Sequence, residues 1–124
     1  MRIIQLLEEY IPIGEVYGEF EKETDTVFLD SSLKNKMGQY SILGRNPYLK
    51  LKKSTKGFTV NGILQQESFE HYTKRYLAEH MDYNETDLPI VSGAIGYFSY
   101  DYGREKEKVK SQHPVESEIP ECIL

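Results

Sequence analysis

Histidine side chains can serve catalysis or metal binding, and this sequence has three of them. His71 and His80 are nine residues apart on one predicted helix, whereas two histidines that bind zinc from one helix face are spaced as i and i+4. His113 lies apart from both, in a charged segment. Cys122 is the single cysteine, so it cannot form an internal disulfide. We therefore predict surface histidines, no metal site, and a small buried apolar role for Cys122.

The remaining polar side chains give no catalytic pattern. Glu67 and Glu70 are close only in sequence, and acidic residues near the start of a helix usually interact with water and the helix dipole. Gly93 and Gly96 complete neither a Gly-x-Gly-x-x-Gly motif nor a phosphate-binding loop. No Gly-x-Ser-x-Gly elbow is present. We therefore predict no catalytic residue in this chain, and ordinary turn or strand roles for its candidate nucleophiles, Ser31, Ser32 and Ser41.

Size, composition and charge fit one ordinary globular domain. The chain has 124 residues, of which 39% are hydrophobic and 28% charged, with a formal net charge of −5. An acidic chain lacks the positive charge that neutralises phosphates, so nucleic-acid binding is disfavoured. No apolar run approaches the roughly 18 residues of a membrane span, and the N-terminus turns acidic before a signal-peptide core develops. We expect no membrane association and a cytoplasmic location.

Residues 26–77 predict sheet structure and one helix. Apolar and β-branched residues favour three short strands at 26–30, 39–44 and 48–51. Asn61-Gly62 between β-prone arms is the signature of a tight hairpin, because both residues tolerate positive φ. Ser68 can cap a following helix, whose apolar face is formed by Phe69, Tyr72, Tyr76 and Leu77.

The two ends of the chain and its last third are less regular. We expect about one helical turn within 1–20, since Pro12 and Gly14 should interrupt regular structure. Residues 90–100 indicate one long strand, in which two glycines mark close approach by another backbone or a ligand. Residues 104–118 are a charged loop or linker, and the apolar end at Cys122 to Leu124 is typical of a strand that begins there. The fold class is α+β.

Two segments together carry a family resemblance. The first is Val27-Phe28-Leu29-Asp30-Ser31 followed by Gly38-Gln39-Tyr40-Ser41-Ile42-Leu43-Gly44-Arg45-Asn46-Pro47-Tyr48, and the second is Gly93-Ala94-Ile95-Gly96-Tyr97-Phe98-Ser99-Tyr100-Asp101. They resemble the Leu-Leu-Glu-Ser, Arg-Tyr-Ser-x-x-Gly-x-x-Pro and Gly-Gly-x-x-Gly-Tyr-x-x-Tyr-Asp elements, in that order, of the N-terminal region of the anthranilate synthase and aminodeoxychorismate (p-aminobenzoate) synthase component I family. Asp30 in place of Glu, and Ser92-Gly93 in place of Gly-Gly, depart from the pattern.

The resemblance implies the N-terminal part of an α+β fold in which two large sheets stack in a sandwich, with helices outside. Residues 1–124 would form the N-terminal component I domain, truncated before the catalytic chorismate-binding region. The family's catalytic acids and Mg²⁺ ligands lie in that C-terminal region, so we expect no cofactor in this segment and Mg²⁺ in the parent enzyme. The implied partners are the C-terminal region and a glutamine amidotransferase that supplies ammonia.

The first motif also implies a tryptophan-like pocket. In relatives the Leu-Leu-Glu-Ser and Arg-Tyr-Ser elements line a tryptophan site, and the matching residues here are Leu29, Asp30, Ser31, Tyr40 and Ser41. A hydroxyl and backbone groups can satisfy the ammonium and carboxylate of an amino acid, while the leucine and tyrosine cover an indole. The alternative is that these five residues are simply strand residues of the core.

Three functions stay open from the sequence. Residues 44–47 and 99–104 look more like p-aminobenzoate-type sequences than anthranilate-type ones, which favours a chorismate-aminating enzyme of the folate pathway. The alternatives are component I of anthranilate synthase with a tryptophan feedback site, and a free-standing module that binds an aromatic amino acid. A reading frame that continues past Leu124 into a chorismate-binding region distinguishes the enzyme segment from the module. A segment without its partner sheet should expose apolar faces and self-associate.

Overall fold

A computed structural model describes residues 2–31, 33, 35–100, 102–103 and 122–124. Two compact units divide the chain, Met1–Pro47 and Tyr48–Leu124. The elements whose bounds the structure describes are two helices, a two-stranded sheet and a five-stranded sheet, and the strand pairs in both sheets are antiparallel. The predicted α+β class is confirmed.

The first unit contains a helix and a two-stranded ribbon. Helix α1 spans Ile13–Phe20. Strands β1 (Val27–Leu29) and β2 (Ile42–Gly44) pair with Phe28 opposite Leu43. The ring of Tyr17 stacks on that of Phe28, with centroids 5.0 Å apart.

The prediction that Pro12 and Gly14 interrupt regular structure was wrong. Pro12 lies just before the first helical residue, where its missing N–H removes no helical hydrogen bond. Its carbonyl accepts hydrogen bonds from the backbone N–H groups of Glu15 and Val16, at 2.9 and 3.2 Å. Gly14 lies within the first turn, where a glycine costs about 1 kcal/mol relative to alanine without ending a helix.

The second unit is a five-stranded sheet whose spatial order differs from the chain order. Its strands are β3 (Leu51–Ser54), β4 (Gly57–Val60), β5 (Ile63–Leu64), β6 (Tyr97–Phe98) and β7 (Cys122–Ile123), and the spatial order is β5-β4-β3-β7-β6. The last strand thus lies between β3 and β6. The backbone groups of Leu51 and Leu124 exchange two hydrogen bonds of 2.8 and 2.9 Å just beyond the β3–β7 pairs. The expected strand at the apolar end of the chain is confirmed.

The hairpin between β4 and β5 turns at the predicted residues. Val60 pairs with Ile63, and Asn61 and Gly62 both have positive φ, 49° and 82°. The third predicted strand, 48–51, is shifted and begins only at Leu51. Just before that residue, Lys50 bonds to the Asn61 turn rather than to a strand: its N–H donates to Asn61 Oδ1 at 2.8 Å, and its carbonyl accepts from the Asn61 backbone N–H at 2.9 Å.

Helix α2 (Phe69–Glu79) lies on one face of this sheet. The Ser68 hydroxyl accepts a hydrogen bond from the backbone N–H of His71 at 3.2 Å, as the capping pattern predicted. Phe69 packs edge-on against Phe58, with ring centroids 5.6 Å apart. The buried core of the described residues consists of Leu51, Phe58, Phe69 and Cys122.

The long strand predicted over 90–100 was wrong in its extent. Only Tyr97 and Phe98 are in strand conformation, opposite Ile123 and Cys122. A strand needs a partner for each residue, and the described part of β7 offers two. The charged segment 104–118 lies outside the described residues.

Candidate functional site

The pairing of β1 with β2 brings four of the five predicted pocket residues together. Leu29 is opposite Ile42, so the chain that leaves β1 runs beside the chain that enters β2. The Ser41 hydroxyl donates to Asp30 Oδ1 at 2.8 Å and accepts from the Ser31 N–H at 3.1 Å. The Ser31 hydroxyl donates to the Tyr40 carbonyl. Asp30, Ser31, Ser41 and the Tyr40 backbone therefore form one hydrogen-bonded cluster.

The loop between the two strands is shaped by an asparagine and a glycine. Asn35 Oδ1 accepts hydrogen bonds from the backbone N–H groups of Met37 and Gly38, at 2.8 and 2.9 Å. A Cβ added at Gly38 would lie 2.1 Å from the Leu33 carbonyl oxygen. Only glycine permits this close approach of the two backbone segments.

A shallow concavity of about 340 Å³, widely open to solvent, lies beside this loop and the cluster. The residues that line it combine polar groups at one end with two apolar side chains, and they are Asp30, Ser31, Leu33, Asn35, Met37 and Gly38. The side chains of Leu29 and Tyr40 are half-exposed beside β1 and β2, at 50% and 47%. Of the five residues taken from the motif, Asp30 and Ser31 line the concavity, while Ser41 holds Asp30 in place.

Sequence reasoning missed four lining residues, Leu33, Asn35, Met37 and Gly38. Asn35 and Gly38 are the only two of these residues with a recognisable sequence signal, because both residue types favour tight turns. Nothing in the sequence pattern indicates that Leu33 and Met37 both line the concavity. Met37 is 95% exposed, so it offers an apolar surface that a ligand could cover.

The polar groups of this cluster are suited to hydrogen bonding with a ligand. An ionised carboxylate such as Asp30 only accepts hydrogen bonds, so it suits an ammonium group. The Ser41 hydroxyl donates its hydrogen bond to that carboxylate, and no histidine belongs to the cluster to activate the hydroxyl. Within the described ranges, no group of three acidic, histidine or cysteine side chains could hold a metal ion.

A second polar cluster lies on the exposed side of α2. Glu67 accepts from Arg75 at 2.8 Å and lies 2.7 Å from His71 Nδ1. These hydrogen bonds, first that of His71 and then that of Arg75, lower the pKa of Glu67. The ring of His80 stacks on Tyr76 at 4.0 Å. His71 and His80 are both exposed, as predicted, and His113 falls outside the described residues.

An ion pair of the first unit joins the ends of α1 and β2. Arg45 donates to both Glu23 carboxylate oxygens, at 2.9 and 2.5 Å, and its guanidinium lies 3.5 Å from the centre of the Phe20 ring. The hydrogen bond from Arg45 lowers the pKa of Glu23. The motif residue Arg45 therefore serves the packing of α1 rather than the concavity.

Comparison with known proteins gives two similar relatives. The chain is 30% identical over 95 residues to anthranilate synthase component 1 of Bacillus subtilis (strain 168), which covers 69% of this chain and 18% of the relative. It is 30% identical over 131 aligned positions to anthranilate synthase component 1 of Acetivibrio thermocellus, covering 90% of this chain and 26% of the relative. The chain thus spans 18% and 26% of the length of these two relatives.

Other comparisons find nothing further. No family model matches the chain, and no solved structure matches it. In the part of the chain that the structure describes, no helix has both the length and the apolar character needed to cross a bilayer.

Proposed function

We propose that this chain is the N-terminal segment of component I of a chorismate-using enzyme. The observation that carries the proposal is the similarity to anthranilate synthase component 1, which extends over 90% of the chain in one relative. The segment contributes part of the scaffold and an amino-acid pocket. The catalytic acids, the chorismate pocket and the Mg²⁺ ligands belong to the C-terminal region of the parent enzyme, and a glutamine amidotransferase supplies its ammonia.

The residues at hand do not fit a magnesium site of their own, since no suitable acidic cluster occurs among the described residues. We therefore derive no step of the reaction from this segment. Its expected contribution to turnover is indirect, through the folding of the whole component I chain.

The product of the parent enzyme has two candidates. Both relatives are named as anthranilate synthase component 1, which favours anthranilate. The second candidate is 4-amino-4-deoxychorismate, favoured by the p-aminobenzoate-like residues 44–47 and 99–104. Chromatography of the products formed by the complete protein from chorismate, Mg²⁺ and ammonia distinguishes the two.

The concavity beside β1 and β2 is the proposed amino-acid pocket. Asp30 and Ser31 provide acceptors for an ammonium group, while Leu33 and Met37 provide the apolar surface for an indole. In this proposal Leu33 and Met37 cover the indole, in place of the sequence-predicted Leu29 and Tyr40. Tryptophan is the proposed ligand, and calorimetric titration of the complete protein tests it.

Substitutions sharpen that titration. Asp30→Asn removes the charge that attracts an ammonium group and should weaken tryptophan binding at least about tenfold. Glu85→Gln changes the net charge equally and lies outside the concavity, so it is the matched control. Binding that is equally tight in wild type and Asp30→Asn would place the ligand elsewhere.

The free-standing binding module is the competing function. It predicts a reading frame that stops at Leu124 and tryptophan binding by the 124-residue chain itself. The enzyme-segment proposal predicts a frame that continues into a chorismate-binding region.

Self-association of the isolated segment is also proposed. Ile63 and Leu64 form the edge strand β5 and are 68% and 66% exposed. An exposed apolar edge strand can pair with another chain. Sedimentation velocity at several concentrations tests this: association should grow with concentration, and a monomer throughout would contradict it.

A further inference from the structure

The turn between β4 and β5 consists of the reactive dipeptide Asn61-Gly62, and Asn61 makes a specific set of hydrogen bonds. Asn61 and Gly62 are both exposed and connect Val60 directly to Ile63. Asparagine is thermolabile in proteins. A following glycine has no side chain to hinder its own backbone nitrogen, which can then reach the asparagine carboxamide. The dipeptide is therefore chemically competent for deamidation.

The Asn61 side chain is hydrogen-bonded to the chain that precedes β3. Its Oδ1 accepts from the Lys50 N–H at 2.8 Å, and its Nδ2 donates to the Tyr48 carbonyl at 3.3 Å. The Asn61 backbone N–H donates to the Lys50 carbonyl at 2.9 Å. Three hydrogen bonds thus fix both the backbone and the carboxamide of this residue.

We infer that Asn61 is a site of spontaneous deamidation, and that its hydrogen bonds to Tyr48 and Lys50 control the rate. The Gly62 backbone nitrogen loses its proton to solvent base and bonds to Asn61 Cγ. The Cγ–Nδ2 bond breaks, and the nitrogen leaves as ammonia after taking up a proton. Water then opens the resulting succinimide at either carbonyl, which yields aspartate or isoaspartate. The closed turn holds the carboxamide on its partners, so the reaction requires the turn to open first.

The reaction products cannot restore the original contacts. Aspartate places a carboxylate oxygen where Nδ2 donated to the Tyr48 carbonyl, so an attraction becomes a repulsion. Isoaspartate adds a methylene to the backbone of a two-residue turn, which breaks the pairing of Val60 with Ile63. Modification would therefore loosen β5 and the entry into β3.

Peptide mapping by mass spectrometry tests the inference on the full chain. The chain is incubated at mildly alkaline pH, once in buffer and once in concentrated urea, and modification is followed at Asn61 and at the internal controls Asn35, Asn46 and Asn84. We expect Asn61 to be modified fastest of the four in urea and at least about tenfold more slowly in buffer, because local opening limits it. Equal rates in the two solvents, or a rate in urea no faster than at the controls, would overturn the inference.

A matched pair of substitutions tests the consequence. Asn61→Asp mimics one product and should lower the urea midpoint of unfolding. Asn35→Asp adds the same charge but keeps the acceptor that the Met37 and Gly38 N–H groups use, so its midpoint should change less. A midpoint for Asn61→Asp equal to or above that of Asn35→Asp would contradict the role of the Tyr48 contact.

Discussion

Gly96 lies so close to Ile123 that a Cβ added at residue 96 would stand 1.7 Å from the Ile123 carbonyl oxygen. The same Cβ would be 2.9 Å from the Cα of Leu124. Both contacts are with backbone, which cannot rotate away as a flexible side chain can. The glycine of the second motif therefore permits the last strand of the chain to enter the sheet beside β6, and the predicted close approach at this residue is confirmed.

Gly96→Ala should separate β6 from β7. We expect a loss of about 2 kcal/mol or more in the free energy of unfolding, because a methyl group is forced into a packed backbone contact. Urea denaturation followed by circular dichroism measures it. Gly18→Ala, a change in α1 whose new Cβ meets nothing within 4 Å beyond its chain neighbours and the backbone of its own helix, is the control and should be neutral or stabilising. Equal stability of wild type and Gly96→Ala would contradict the packing of β7.

Cys122 is fully buried among Leu51, Phe58 and Phe69. Cys122→Ser puts a hydroxyl into this apolar core and should cost about 2 kcal/mol of unfolding free energy. Cys122→Ala removes only the sulfur and should cost less. The wild-type thiol should react with a thiol reagent only after unfolding. Rapid labelling of the folded chain would show that the strand is not inserted.

Gly62→Val tests the hairpin turn. Gly62 has a φ of 82°, which a β-branched residue resists, so valine should destabilise the chain by about 1–3 kcal/mol. Gly62→Asn is the matched control, because asparagine tolerates positive φ and should cost less. An unchanged melting temperature for Gly62→Val would argue against the turn.

The hydrogen bonds of Glu67 to His71 and Arg75 should make the free energy of unfolding depend on pH. Its pKa is lowered in the folded state, so Glu67 binds protons less readily when folded than when unfolded. Its contribution is therefore fully present above the ordinary glutamate pKa and disappears as pH falls through the lowered folded value. Glu67→Gln should melt below wild type at neutral pH and converge with it in acid.

Salt and a second glutamate provide the controls for that prediction. The charged groups around Glu67 are solvent-accessible, so the difference in melting temperature between wild type and Glu67→Gln should be small and should shrink at high ionic strength. Glu79→Gln breaks only the longer 3.7 Å ion pair with Arg75 and should change the melting temperature less. A difference between wild type and Glu67→Gln that does not vary with pH would contradict the assigned cause.

Local features of the fold were predictable because neighbouring residues determine them. The Asn61-Gly62 turn and the Ser68 cap depend on the conformational preferences of a few adjacent residues. The extent of the strand at 90–100 was not predictable, since strand length depends on the partner, here the distant β7. Pro12 was misjudged because a proline before a helix and a proline within one have the same local composition.

One part of the candidate site was predictable from the sequence and another part was not. The contact between Asp30 and Ser41 follows from the order of the Leu-Leu-Glu-Ser-like and Arg-Tyr-Ser-like elements of the first motif and the antiparallel pairing of their strands. Leu33 and Met37 became lining residues only through the path of the loop, which Asn35 and Gly38 determine. No residue spacing in the sequence encodes that path.

Chorismate turnover tests the central proposal most directly. The protein translated from the complete reading frame and the isolated 124-residue chain are each incubated with chorismate, Mg²⁺ and ammonia, and chorismate consumption is followed by chromatography. The proposal predicts turnover by the complete protein and none by the isolated chain above a no-protein control. A complete protein that leaves chorismate untouched, or turnover by the isolated chain, would contradict it.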